Sequence, residues 1–440
     1  MLTPTTIPST LQSRASLWSA LDTANRGAWL DARRRAGEQE IRYTRDVILP
    51  GNPDAQSEDE VDETIGARDT LLFLPHPYLT PGGKEAAFSE MYAWDTFFIN
   101  EGLRVHGFFD VIRDHIRNQL YMIDRYGMIL NGNRTYYLFR SQNPLGAEGA
   151  RRYFSTVSDK YLMMRAYAGF AAEYEGYWTA DHHMTPTGLS TARDLGVEGL
   201  RAALAAEAEV TDFTAVFEGD VRRCNPLMIN VFLAQSEEAL AWMANQLGLT
   251  DEEAMWVGRR RARVERIDRY LWDEDRSGYY EYNFKEDRRL PYRSLAMFMP
   301  LWAGVASSEQ AEFLVRTHLP DFMGPHGCPF TDQVYASPHP EFEHLQWSYP
   351  AAWPAFHMLL VEGLDRYGFH DQAEEVALRL LTTILDRYRE TGKMWEKYHA
   401  MDGGIDIPVE RYPTAPMQGW TAAAVAVLGR RLGLTNETTI

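Results

Sequence analysis

Apolar and aromatic positions recur at helical spacing through most of the chain and predict about a dozen helices. The predicted helices span residues 11–36, 88–106, 108–126, 158–178, 196–209, 226–247, 251–273, 292–305, 308–319, 353–367, 371–389 and 416–434. Predicted strands are few and short, and the sequence has neither βαβ alternation nor a GxGxxG motif. Paired helices of similar length predict an all-α toroid of helical hairpins, with short strands only in the loops at its rim.

The N-terminal part has a different pattern from the rest. Residues 51–64 (GNPDAQSEDEVDET) are polar, acidic and punctuated by glycine and proline, which is typical of a loop. We therefore predict an N-terminal extension with a helix and this acidic loop over residues 1–70, and the toroid over residues 71–440. Residues 273–278 (DEDRSG) are similar to the start of a calcium loop, but Phe284 stands where that loop needs a glutamate. We predict instead a turn between a helix and a short strand pair.

Composition narrows the class of partner. The chain has 44 Lys and Arg against 62 Asp and Glu, a net charge of −18, which argues against nucleic acid or anionic membrane as a partner. Only Cys224 and Cys328 are present, so we expect reduced core cysteines rather than a disulfide framework or structural zinc. No signal-like segment and no stretch of eighteen apolar residues is found, which predicts a cytoplasmic location and no membrane insertion.

Residues 131–142 (NGNRTYYLFRSQ) are rich in side chains that bind hydroxyl groups. Two Asn, two Arg and a Gln stand beside tyrosines, and this combination suits a ligand with many hydroxyls and apolar C–H patches, as a sugar has. A polar surface hairpin is the alternative. The chain also contains 12 Trp, 23 Tyr and 20 Phe, residues that commonly form the floor and walls of carbohydrate sites.

Three further clusters, at residues 88–98, 346–354 and 394–420, mix carboxylates or amides with tryptophan and tyrosine on segments between helices. A glycosidase needs two carboxyl groups, one to protonate the leaving oxygen and one to act as base or nucleophile. Glu396 is one candidate, because it lies between aromatic residues just ahead of a glycine-bearing loop. Residue patterns leave the second carboxyl open among Asp95, Asp194, Glu209, Asp212, Glu218 and Asp220.

These motifs resemble those of the trehalase family of glycoside hydrolases over residues 81–434. Residues 131–144 resemble the family's sugar-binding segment. The other signatures are similar at Pro81-Gly82-Gly83 with Glu90, Tyr92 and Trp94-Asp95, at Gln346-Trp347 with Pro350 and Trp353, and at Glu396-Lys397-Tyr398 with Glu410, Tyr412-Pro413 and Gly419-Trp420.

The resemblance implies an (α/α)6 toroid that acts as an inverting α-glucosidase without a metal or cofactor, with an Asp as general acid and a Glu as general base. Glu396 matches the base and Asp212 falls at the position of the acid, although Val210 and Thr211 replace the family's Gly and Trp before it. Inversion requires the two carboxyls to lie roughly 6.5–9.5 Å apart. The residues that match the sugar pocket are Tyr92, Trp94, Asp95, Asn131, Arg140, Gln142, Gln346, Trp347, Glu410 and Trp420.

Departures from the family pattern lie mainly on the leaving-group side. Residues 84–87 (KEAA) separate the Gly-Gly pair from Phe88, and Ser348 replaces an Asp. The family's Arg-Pro-Glu segment is not recognisable between Leu189 and Asp212, where only Arg193 is a candidate remnant. The glycine-rich stretch before Glu410 is also shortened. We therefore expect a small neutral α-glucoside whose aglycone is not glucose, with glucosylglycerol favoured and trehalose next.

Two other functions use the same kind of toroid. A sugar 2-epimerase would work with histidines at the mouth of the barrel, for which His182, His183 and His399 are the candidates. A sugar-binding relative that has lost catalysis would not need both Asp212 and Glu396 in place.

Overall fold

A computed structural model describes residues 7–38, 71–82, 88, 90–196, 200–339, 343–408, 411–417 and 419–434. Its helices are, in chain order, α1 (Ser9–Gln12), α2 (Ala15–Glu38), α3 (Ala93–His106), α4 (Phe109–Tyr126), α5 (Gly146–Phe154), α6 (Lys160–Glu173), α7 (Leu200–Glu207), α8 (Leu227–Leu247), α9 (Thr250–Leu271), α10 (Met299–Trp302), α11 (Ser308–Phe313), α12 (Leu319–Phe322), α13 (Pro354–Arg366), α14 (His370–Thr391) and α15 (Trp420–Arg431). A π-helical turn, Tyr174–Trp178, extends α6, and another, Leu314–His318, joins α11 to α12.

Within the described part of the chain, six helices form a closed inner ring. In order around the ring they are α3, α5, α8, α10, α13 and α15, and α15 packs back against α3. Helices α4, α6, α9 and α14 pack outside this ring, each against the inner helix that precedes it in the chain. This arrangement is the (α/α)6 toroid, so the predicted fold class is confirmed.

Inner and outer helices differ in how much of their surface is apolar. In α8 nearly every side chain is buried, including polar ones such as Asn230 and Gln235, because the helix is covered on all sides. Outer helices α4 and α14 bury one stripe and expose the other face. Glycines at the ends of α3 and α8, Gly107 and Gly248, have φ of 79° and 78°, which ends each helix and turns the chain outward.

Helix α5 was not predicted, although it is one of the six inner helices. Its sequence, GAEGARRYF, is only nine residues long and combines two glycines with three charged residues, so its short apolar face of Ala147, Ala150, Tyr153 and Phe154 was not recognised as a helix. In the fold, Glu148 is fully buried and accepts hydrogen bonds from Arg151 and Arg152, each 2.7 Å long. Arg152 also donates to Glu101 of α3 at 2.9 Å and to Glu362 of α13 at 2.6 Å. Ion pairing across the ring therefore accompanies apolar burial in this helix.

The strands are two residues long and lie in the loops, as predicted. β1 (Cys224–Asn225), β4 (Tyr282–Asn283) and β5 (Arg288–Arg289) form a three-stranded sheet in the order β1-β4-β5. β2 (Trp272–Asp273) pairs with β3 (Gly278–Tyr279), so residues 273–278 form the predicted turn. β6 (Ala351–Ala352) pairs with β7 (Tyr398–His399), which brings the segment before α13 beside the segment that carries Glu396.

The N-terminal helix α2 packs against α15 and α14. Trp18 is buried and donates its indole N–H to the backbone oxygen of Val425 at 2.8 Å, and His106 of α3 contacts Asp22 at 2.8 Å. The predicted domain boundary near residue 70 and the loop at residues 51–64 lie outside the described residues, so the division stays a prediction. No helix in the described ranges is long and apolar enough to cross a membrane.

Candidate active site

One end of the inner ring holds an open pocket of about 690 Å³, a volume that includes the solvent at its mouth. The segments that reach it are the starts of α3 and α15, residues 131–142, the chain after α7, the chain before α13, and residues 396–417. Its lining residues are Pro81, Phe88, Tyr92, Trp94, Asp95, Asn131, Tyr137, Gln142, Ala208, Val210, Asp212, Trp347, Glu396, Tyr412, Met417 and Trp420. The four clusters found in the sequence thus meet at one rim, and nine of the twelve predicted site residues line one pocket.

Tryptophan rings form much of the wall between the pocket and the core. Trp94 contacts Trp347 and Trp420 edge to face, with ring centroids 5.3 and 6.0 Å apart. Trp347 also stacks on Trp353 at 3.8 Å with an interplanar angle of 17°. Rings packed against one another lose little freedom when a ligand binds, and their exposed edges and faces suit the C–H face of a sugar.

Glu396 is buried and held on both sides of its carboxylate. Tyr412 donates its hydroxyl to Oε1 at 2.9 Å, and the Lys397 ammonium lies 3.3 Å from Oε2. Burial raises the pKa of Glu396 above its ordinary value, whereas Lys397 and Tyr412 act in the opposite direction and nearby Asp212 raises it further. The pKa of Glu396 is therefore above its ordinary value, although Lys397 and Tyr412 hold it down. The same two contacts orient the carboxylate.

Asp212 is in contact with a different set of groups. Trp347 donates its indole N–H to Oδ1 at 2.8 Å. The next residue, Phe213, has a φ of 56°, and its backbone oxygen accepts hydrogen bonds from the N–H groups of Gln346 (2.8 Å) and Trp347 (3.3 Å). This turn ties Asp212 to the segment before α13. Desolvation raises the pKa of Asp212, and the bond from Trp347 only partly offsets it.

Asp95 is a third carboxyl in the pocket, in the first turn of α3. Burial, together with the nearby charge of Glu396, raises the pKa of Asp95 to about 8. At neutral pH this carboxyl is therefore mainly protonated and can donate a hydrogen bond as well as accept one. Three carboxyls with different surroundings, Asp95, Asp212 and Glu396, thus converge on one pocket.

The polar stretch at residues 131–142 forms one wall of the pocket rather than a surface hairpin. Asn131 is buried, lines the pocket and donates to the backbone oxygen of Ala208 at 2.8 Å. Gln142 also lines the pocket, and its side-chain oxygen accepts a hydrogen bond from the backbone N–H of Trp94 at 3.2 Å. Asn133, two residues from Asn131, instead bonds the backbone of Met91 at 2.7 Å and Leu72 at 2.9 Å. Neighbouring asparagines therefore have different tasks, one in the site and one in the scaffold.

Three predicted site residues are not among those that line the pocket. Arg140 forms an ion pair of 2.6 Å with Asp194 and lies 5.0 Å from the centre of the Tyr137 ring. Gln346 is buried beside the Phe213 turn, and its side-chain amide has no hydrogen-bond partner among the described residues. Glu410 lies outside the described residues. The histidines of the epimerase alternative, His182, His183 and His399, do not line the pocket either.

Residue patterns missed several pocket residues, of which Tyr137 and Tyr412 are the most polar. Tyr137 stands inside the polar stretch and Tyr412 inside the C-terminal signature, so both were near quoted motifs. Tyrosine, however, is equally common in cores, and only the contact with Glu396 distinguishes Tyr412. Lys397 was seen only as part of a motif, and its buried position beside Glu396 comes from the fold.

Comparison with known proteins agrees with this architecture. Carboxyls that converge at one rim of an (α/α)6 toroid are the arrangement that a glycoside hydrolase needs. The family model described as Trehalase matches residues 56–209 and 207–430, and the chain belongs to this family.

Solved structures are similar over most of the chain. Neutral trehalase Nth1 from Saccharomyces cerevisiae is 25% identical, with a TM-score of 0.73, and the match covers 85% of this chain and 79% of that protein. A GH63 mannosylglycerate hydrolase from Thermus thermophilus, solved in complex with glucose, is 16% identical, with a TM-score of 0.58 and coverage of 84% and 99%. The same hydrolase in complex with Tris and D-glycerate is 15% identical, with a TM-score of 0.57, and the match covers 84% of this chain and 99% of that protein. The GH63 likeness concerns the fold.

Proposed function

We propose that this hydrolase is an inverting, exo-acting α-glucosidase that releases β-glucose from a small soluble α-glucoside. The observation that carries the proposal is that Asp212 and Glu396 line one pocket and accept hydrogen bonds from different kinds of donor. Glu396 has an ammonium and a phenol on its two oxygens, which favour the ionised form that a base needs. Asp212 accepts a hydrogen bond from the neutral Trp347 indole, and although Arg140 and Arg411 lower its pKa, desolvation outweighs them and favours the protonated form that an acid needs.

In the proposed reaction, Asp212 protonates the glycosidic oxygen while Glu396 removes a proton from the water that attacks the opposite face of the anomeric carbon. We expect the two carboxyls to be separated by roughly 6.5–9.5 Å with substrate bound, which leaves room for that water. The glucose unit would lie against Trp94, Trp347 and Trp420. Its hydroxyls would bond Tyr92, Asp95, Asn131 and Gln142 directly, with Arg140, Gln346 and Glu410 as further proposed contacts.

The proposed aglycone is smaller than glucose. The glucose-side signatures at residues 131–142 and 394–399 are retained, whereas the motifs that would hold a leaving glucose are altered or absent. Trp347 of the second signature keeps its contact with Asp212 although Ser348 follows it. We therefore favour glucosylglycerol, with trehalose next. Since a mannosylglycerate hydrolase shares the fold, glyceryl and glycerate glycosides of both glucose and mannose belong in the test set.

The experiment incubates the protein with trehalose, glucosylglycerol, glucosylglycerate and mannosylglycerate and follows the anomeric protons by NMR. We expect β-glucose as the first product from one glucoside, before mutarotation. First appearance of α-glucose would refute inversion. An isomerised sugar would favour the epimerase, and binding without turnover would favour the non-catalytic relative.

Two substitutions test the proposed roles. Glu396→Gln and Asp212→Asn should each reduce kcat by about 10²-fold or more, because each removes a proton-transfer group. Glu281→Gln is the matched control, since Glu281 is a buried carboxyl outside the pocket and should leave the rate unchanged. Near-normal activity in either site variant would remove that residue from its role.

A further inference from the structure

Lys397 is a buried cation in the wall behind the pocket. Its relative exposure is 0%, and its ammonium group lies 3.3 Å from Glu396 Oε2. The ring centroids of Trp353 and Tyr412 are 5.0 and 4.6 Å from Nζ, so two aromatic faces cover the charge. Burying an ammonium costs several kcal/mol unless a partner offsets it, and Glu396 together with the two rings supplies that partner.

The backbone around Glu396 is held by hydrogen bonds, which fixes the point from which its side chain extends. The backbone N–H of Glu396 donates to the backbone oxygen of Ala415 at 2.9 Å. The backbone oxygen of Glu396 accepts a hydrogen bond from the Trp420 indole N–H at 2.8 Å. One residue beyond Lys397, Tyr398 begins β7, which pairs with β6. The peptide that carries Glu396 and Lys397 is therefore anchored on both sides by the fold.

Within the part of the chain that the structure describes, each oxygen of the Glu396 carboxylate has one donor. Tyr412 donates to Oε1 at 2.9 Å and Lys397 lies at Oε2. A carboxylate has about four lone-pair sites, so these two donors leave positions on both oxygens for a further donor such as a water. The donors thus restrict the direction in which a water can bond.

We propose that Lys397 and Tyr412 are positioning residues that keep Glu396 ionised and direct its remaining lone pairs toward the attacking water. This inference rests on the proposed role of Glu396 as general base. Neither residue touches the reacting atoms; both act through the Glu396 carboxylate.

The other charged and titratable groups around Glu396 act against its ionisation. Asp212 and Asp95 both lie close enough for their charges to interact with it, and burial adds to their effect. Arg140 and Arg411 lower the pKa of Asp212. Lys397 and Tyr412 are therefore the groups that lower the pKa of Glu396, and removing either should raise that pKa.

The test compares Lys397→Met, Tyr412→Phe and Lys397→Arg with the unmodified protein. Met keeps the length of the apolar stem and Phe keeps the ring, so each change removes mainly the charge or the hydroxyl. We expect the acidic limb of the kcat/KM–pH profile to move to higher pH, by roughly one to three pH units for Lys397→Met and less for Tyr412→Phe. We also expect kcat to fall by at least tenfold at acidic pH with KM little changed, whereas Lys397→Arg keeps the limb near its original position.

Lys393→Met is the matched control, because Lys393 is a surface lysine four residues away. It should leave the profile unchanged. If Lys397→Met does not fold, Tyr412→Phe still tests the proposal, since it removes one oxygen atom and leaves the Lys397 charge in place. An acidic limb that stays fixed in every folded variant would overturn the inference.

A second measurement does not depend on substrate. Infrared difference spectra against Glu396→Gln identify the carboxyl stretch of Glu396 and follow its protonation with pH. We expect protonation of Glu396 at higher pH in Lys397→Met and Tyr412→Phe than in the unmodified protein, and an unchanged titration would overturn the proposal. If that titration shifts while Glu396→Gln retains full activity, the positioning contacts stand and it is the base assignment, hence the proposed function, that fails.

Discussion

Gly102, in inner helix α3, lies where the ring closes between α3 and α15. A Cβ atom at this position would lie 2.6 Å from Cη2 of Trp29 and 2.8 Å from Cα of Ala423 in α15. The first contact can be relieved by a shift of the Trp29 ring, but the second is with backbone, so α3 and α15 would have to separate. Overpacking of this kind typically costs about 1–3 kcal/mol.

Gly102→Ala should therefore destabilise the protein in spite of the better helix propensity of alanine. Ala gains about 1 kcal/mol over Gly within a helix, so a clash near the upper end of the range leaves a net loss of about 2 kcal/mol. Because α3 and α15 also carry Asp95 and Trp420 into the pocket, we expect KM to increase as well. Denaturant unfolding followed by tryptophan fluorescence measures the first effect, and steady-state kinetics the second.

The matched control is Gly258→Ala in outer helix α9, where a Cβ would meet nothing within 4 Å. This substitution should be neutral or stabilising by up to about 1 kcal/mol. The sign of the difference between the two variants is the sharp result. A Gly102→Ala protein at least as stable as Gly258→Ala would refute the close approach of α3 and α15.

Three further outcomes follow from buried groups. Arg152→Met should cost about 3–5 kcal/mol in unfolding free energy, since it leaves the buried Glu148 carboxylate short of a partner; an unchanged denaturation midpoint would contradict this. Burial raises the pKa of Glu281 from 4.5 to about 8, so the free energy of unfolding of the unmodified protein falls as pH rises through that window. The free energy of unfolding of Glu281→Gln should increase relative to the unmodified protein by up to about 1.4 kcal/mol per pH unit in the same window, which unfolding at pH 5, 7 and 9 measures. Trp347→Phe removes the donor to Asp212, so the pKa of Asp212 should rise and the basic limb of the kcat–pH profile should move to higher pH; a limb that moves to lower pH would contradict the proposed acid role.

Much of the fold was accessible from sequence because its helices are long and periodic. α4, α8, α9 and α14 agree closely with the predicted ranges, since an amphipathic or wholly apolar stretch of eighteen or more residues has few alternatives. Prediction was poorest for short elements. The segment predicted as a helix over residues 292–305 is a 3-10 turn, Leu295–Phe298, followed by the single turn of α10.

The sequence by itself determined which segments meet at the pocket, because Asn, Gln, Trp and carboxylate side chains cluster in four segments that match family signatures. Only the tertiary structure decided which members of each cluster reach the pocket. Asn131 and Asn133 are alike in sequence, yet one lines the pocket and the other bonds the backbone of residues 72 and 91. Likewise, only the fold brings Arg152 of α5 to its partners on α3 and α13, and only the fold buries Lys397 against Trp353 and Tyr412 beside Glu396. The physical reason is that burial of a polar or charged group depends on partners far away in the chain, and a local pattern contains no information about them.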